Sequence, residues 1–135
     1  MIFIRGWRHP KRLKVSVEVE TELGVRISRS ELDPRFRLWN HSPTGFECGY
    51  MGSGPAQLAL AILSESMRHP ARENADRIAV RLHQQFKREI VALLPRDRDW
   101  SLDLGFVNKW IDEAVKQAAD SLDNDVEEQA PKEGP

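Results

Sequence analysis

A glycine-studded turn running directly into an almost wholly apolar helix constrains this chain more than any other feature. Gly45, Gly49, Gly52 and Gly54 fall within ten residues, and Pro55 and the run Leu58-Ala59-Leu60-Ala61-Ile62-Leu63 follow. Glycine admits positive φ or a close backbone approach at little steric cost, and the fixed φ and missing N–H of proline suit the first helical position. A helix that is apolar on every side must be buried on most of them. The stretch from about 55 to 69, closed by Pro70, is therefore expected to be the central helix around which the rest packs.

The segment before this turn reads as β structure. Lys14 to Glu20 alternates strictly, placing Val15, Val17 and Val19 on one face, and Ile2, Ile4 and Trp7 keep the same period ahead of His9-Pro10. These two runs predict a hairpin. A second is expected from Phe36–Trp39 and Phe46–Tyr50, joined by the turn formers of Asn40–Gly45. After the turn the pattern becomes helical. A second helix spans Asn74 or Ala75 to Pro95, with Ala79, Leu82, Phe86, Ile90 and Leu93 at three- and four-residue steps; a third, capped by Ser101, runs through Val107, Trp110, Ile111, Ala114, Val115 and Ala118. The fold class is thus α+β, a small N-terminal antiparallel sheet of two hairpins packed on three C-terminal helices. One domain is expected over 1–119, followed by an acidic, disordered tail over 120–135.

Charge is unevenly spread. The overall balance is −1, but residues 120–135 hold six acids against Lys132, so the preceding chain carries +4. Arg5, Arg8, Lys11, Arg12 and Lys14 cluster at the start with no acid among them. Such asymmetry points to a basic binding surface with an acidic tail, and solvated charge is its plainer explanation. Cys48 is the single cysteine, which excludes an intrachain disulfide and a cysteine-based zinc site within one chain and fits the cytoplasm. No apolar run approaches the roughly 18 residues of a membrane span.

The text from Gly45 to Leu63 resembles the hallmark of an uncharacterised prokaryotic and phage family, domain of unknown function family 6166. That hallmark typically reads Gly-Phe-Glu-Trp-Gly-Tyr-Gly-Gly-Ser-Gly-Pro-Ala-Gln-Leu-Ala-Leu-Ala; here Cys48 stands in place of the Trp and Met51 in place of a Gly. The resemblance continues more loosely through His83–Val91 and on to Trp100 and Trp110. It implies a discrete compact domain often carried on mobile elements. It brings no activity, cofactor or catalytic residue.

Three surfaces are candidates for function. On the second helix Arg77, Arg81, Gln84 and Arg88 fall at i, i+4, i+7 and i+11 with Lys87 beside them, a basic ridge able to reach phosphates or base edges; pairing with Asp76, Glu73 and Glu89 is the structural alternative. The N-terminal Arg5, Arg8, Lys11 and Arg12 would extend that surface, with Trp7 placed to stack or to pack on the sheet. At the glycine turn, amides of Ser53, Gly54 and Ala56 could cradle an anion, against the simpler role of a tight connection onto the buried helix. Cys48 and Ser53 lack convincing catalytic partners, and His9, His41, His69 and His83 show no paired ligand spacing, so no catalytic residue, metal or cofactor is expected. The leading expectation is a non-enzymatic protein that engages nucleic acid or a nucleoprotein, as an accessory or anti-defence factor of a phage or mobile element. The alternatives are an inhibitor or adaptor of a host protein without nucleic-acid contact, and a small-anion binder or enzyme at the glycine turn.

Overall fold

Strict alternation in the first twenty residues becomes a hairpin of β1 (Ile2–Arg8) and β2 (Val15–Leu23), in register with Ile4 opposite Val19 and Arg8 opposite Val15. The computed structural model describes residues 1–11 and 14–129, with 123–129 by backbone alone. β3 (Arg26–Glu31) returns along the other side of β2 through a turn at Gly24, whose φ of +61° suits a residue without a side chain. β4 (Trp100–Asp103) adds antiparallel to β1, giving a four-stranded sheet of order β3-β2-β1-β4.

Two hairpins therefore form, but the second uses Arg26–Glu31 rather than the 36–39 and 46–50 segments. A buried cation explains the difference. Arg35, with φ of +60°, turns its guanidinium inward to Ser64 Oγ at 2.9 Å, to Asp33 and to Glu65, and its carbonyl accepts the Leu38 N–H at 2.9 Å. The chain at 35–39 is consequently a turn wound around an anchor. Phe46 contributes only an isolated bridge to Val15.

Helix α1 (Ser53–Ser66) is buried along almost its whole length, as an all-round apolar helix requires. Leu58 to Leu63 share one continuous core with Ile4, Val15, Val17 and Val19 of the sheet. Ala79, Leu82 and Phe86 of α2 (Ala75–Glu89) and Leu104, Val107 and Ile111 of α3 (Leu104–Gln129) complete it. A 3-10 turn at Val91–Leu93 follows α2 before Pro95. Ser101 is a β4 residue and does not cap α3; Asp103 takes that role, its Oδ1 accepting the Gly105 N–H at 2.7 Å. The expected domain end at 119 falls inside α3, whose backbone continues to Gln129, and residues 130–135 lie outside the described residues. Among the described residues no helix is long and apolar enough to cross a membrane.

Candidate functional site

The glycine turn is filled by its neighbours. A Cβ on Gly54 would stand 2.6 Å from Glu47 Cβ, one on Gly52 would stand 2.6 Å from the Tyr50 ring, and one on Gly49 would collide with the Arg96 side chain. Gly49 also has φ of +81°. These positions demand glycine because side chains already occupy the space, and Gly54 itself is buried. The Ala56 N–H is committed to Gly52 O at 3.0 Å. The Ala56 amide is thus used inside the helix and Ser53 is exposed; the turn seats α1 against Glu47. Arg8 grips both carboxylate oxygens of that buried acid. Burial favours the protonated form, but the Arg8 hydrogen bonds and charge prevail and hold Glu47 below the ordinary carboxylate range. Cys48 has no exposed surface, and burial pushes its thiol up, which makes it a core residue rather than a nucleophile.

The N-terminal cations are largely occupied within the fold. Arg5 and Arg29 both pair with Glu20, at 3.1 and 2.9 Å, and Arg8 also donates to Arg96 O. Trp7 sits half-buried in β1 and lines a cavity of about 580 Å³ with Lys14, Glu18, Glu31, Thr44 and Phe46. Lys11 is exposed, and Arg12 lies outside the described residues.

The ridge on α2 is different. At about 100° per residue, Arg77, Arg81, Gln84 and Arg88 point directly away from the core line of Ala79, Leu82 and Phe86. The three arginines are exposed and Gln84 and Lys87 half-buried. Of the acids expected to neutralise this face, Asp76 pairs with Arg37 at 3.0 Å, Glu89 accepts hydrogen bonds from Gln85 at 2.7 Å and Trp110 Nε1 at 3.2 Å, and Glu73 is exposed and makes no ion pair among the described residues. Among the described residues, none of Arg77, Arg81, Lys87 or Arg88 has a carboxylate within salt-bridge reach.

One flank of this ridge carries an aromatic cluster. Trp39 is 49% exposed and stacks on His41, with ring centroids 4.6 Å apart and planes inclined by 19°. His41 Nε2 lies 2.9 Å from Nε2 of the buried His83, and His83 Nδ1 lies 2.6 Å from Val80 O. The carbonyl has only lone pairs to offer, so His83 donates from Nδ1 and accepts at Nε2 from His41. Burial lowers the pKa of both imidazoles, most directly by desolvation and further through nearby Lys87. Gln57, with no exposed surface, fixes the loop from below: its amide nitrogen donates to Pro34 O and Trp39 O, and its oxygen accepts from the His41 and Ser42 amides. The pairing of His41 with His83 and the exposure of Trp39 escape the sequence, where His83 stands more than forty positions from both with no shared spacing. Among the described residues no group of three or more His, Cys, Asp or Glu side chains is placed to hold a metal.

The other flank is an apolar groove of about 290 Å³ between α2 and α3, floored by Ile78, Leu82, Val115 and Ala118 and rimmed by Arg77 and Arg81. No curated protein and no solved structure matches the chain. The model of a family of unknown function, DUF6166, matches residues 5–113, which take in the sheet from the middle of β1 onward, the glycine turn, α1, α2 and the first part of α3. The chain belongs to the DUF6166 family.

Proposed function

We propose that this protein is a non-enzymatic module that engages nucleic acid through the outer face of α2. The observation that carries the reading is the set of cations at Arg77, Arg81, Lys87 and Arg88, exposed or half-exposed, whose neighbouring acids Asp76 and Glu89 are bound to other partners. A cationic face without internal acids keeps its charge for phosphates, and releasing their counterions drives association. Arg5 and Arg8, engaged with Glu20 and Glu47, are left out of this surface. Gln84, between Arg81 and Arg88 on the same line, adds a side chain able to hydrogen-bond a base edge or sugar.

The test is a fluorescence-anisotropy titration of labelled single-stranded and duplex oligonucleotides at low and rising salt. Binding that weakens with salt, and weakens further in Arg77→Ala/Arg81→Ala/Arg88→Ala while the thermal melt is unchanged, is the expected result. No binding to any oligonucleotide at low salt would sink the reading. A protein partner is the second reading, favoured by the apolar groove between α2 and α3 with its arginine rim. Nuclease-resistant capture of a stoichiometric protein, lost on Val115→Asp in a folded variant, would decide for it.

A further inference from the structure

We infer that the Trp39 indole is a base-stacking platform, so that the nucleic acid taken by the α2 face is single-stranded. This rests on the nucleic-acid reading above and narrows it to one substrate class.

An exposed tryptophan on a loose loop would carry no such meaning, but Trp39 is held both by its backbone and by its ring. Its carbonyl receives Gln57 Nε2 at 3.0 Å, and its own N–H reaches Arg35 O. Gln57 and Arg35 are both buried, so the loop is anchored by side chains that belong to the core. The ring is braced by His41, stacked at 4.6 Å, and by His83, tilted at 58° with centroids 5.5 Å apart. His83 is in turn fixed on α2 by Val80 O. The indole is thus backed by two imidazoles while nearly half of its surface stays in water.

The position matters as much as the rigidity. His83 and Lys87 are one helical turn apart on α2, so a base resting on Trp39 would have its backbone beside Lys87, from which Gln84 lies about 60° and Arg88 about 100° further round the helix, a path for the strand from the indole onto the basic face. An aromatic plane beside a cationic track is the arrangement by which single strands are bound without sequence readout, because every base has a π face whereas phosphates need only charge. A duplex keeps its bases stacked on each other and cannot offer one to the indole unless it opens at that step.

The experiment compares a labelled single-stranded oligonucleotide with its duplex on wild type, Trp39→Ala, Trp39→Phe and Arg77→Ala/Arg81→Ala, with thermal melts confirming that each variant is folded. The platform requires preference for the single strand, a loss of roughly tenfold to a hundredfold in affinity for it in Trp39→Ala, and recovery of most of that loss in Trp39→Phe. The salt slope should stay near the wild-type value in both Trp39 variants and fall in the arginine pair. Ultraviolet crosslinking adds a readout independent of stability: the adduct should map to Trp39 in wild type. Binding that depends on the arginines but is indifferent to Trp39, or that favours the duplex, overturns the platform and leaves the basic face standing. Absence of all binding overturns both.

Discussion

Gln57 has one amide group and four backbone partners, in a place where water does not reach. Replacing it with leucine preserves most of the volume but leaves two carbonyls and two N–H groups without their partner. Each unmade buried bond costs about 1–3 kcal/mol, so Gln57→Leu should lower unfolding free energy by about 3 kcal/mol or more, measured by urea denaturation. The His83 imidazole has its pKa depressed by burial. In the unfolded chain it returns to the ordinary value near 6.5, so the unfolded state binds the extra proton first as the solution is acidified. The stability it contributes is complete above about pH 6.5 and is lost as pH falls through the lowered native value. Melts recorded from pH 7.5 to 5.5 should therefore show falling stability, and His83→Gln should flatten that dependence. His41 titrates in the same direction, its pKa lowered by burial and by the charges of His83 and Lys87, so it adds to the slope that remains.

At the scale of elements, burial predicts where the backbone opens. β3 is exposed along all six residues and forms one edge of the sheet, whereas α1 is covered almost throughout. Amide exchange should accordingly be fast in Arg26–Glu31 and slow, near the global limit, in Leu58–Leu63, as read by hydrogen–deuterium exchange. The same contrast explains which elements are legible in the sequence. β1 and β2 bury one face, and burial writes an apolar–polar alternation into the text; α1 buries every face and is bracketed by Gly54-Pro55 and Pro70. β3 buries neither face, so Arg-Ile-Ser-Arg-Ser-Glu carries no pattern, and its existence depends on backbone pairing with β2. The apolar residues at 36–39 and 46–50 mimic strands because their turn is organised by the long-range contacts of Arg35, which sequence spacing does not record. The α2 ridge is legible for the opposite reason, since a helix face is a local property of period. Whether its charges are free is not local: it depends on Arg37 and Trp110 drawing Asp76 and Glu89 away.

Across the whole molecule the net charge of −1 conceals this division of labour. Arg5, Arg8, Arg29, Arg35 and Arg72 are paired with acids from other parts of the chain, while Arg77, Arg81, Lys87 and Arg88 lie on α2 with no ion pair among the described residues. If all four of the latter meet phosphates, log affinity for a single strand should fall against log salt with a slope of about −3. Removing Arg77 and Arg81 should bring it to about −1.4, read from anisotropy titrations at several salt concentrations. The loop that carries Trp39 touches α2 through His83 and is tied to α1 by Gln57, two positions after Pro55 in the first turns of α1. Glycines 49, 52 and 54 set where that helix begins, and its first turn sets the direction in which Gln57 points. One residue inserted between Pro55 and Gln57 would swing the amide through about 100° and away from the loop. The Gly-Ser-Gly-Pro-Ala-Gln run therefore works as an alignment key: its glycines fix the phase of the helix, and its glutamine transmits that phase to an aromatic ring on the surface.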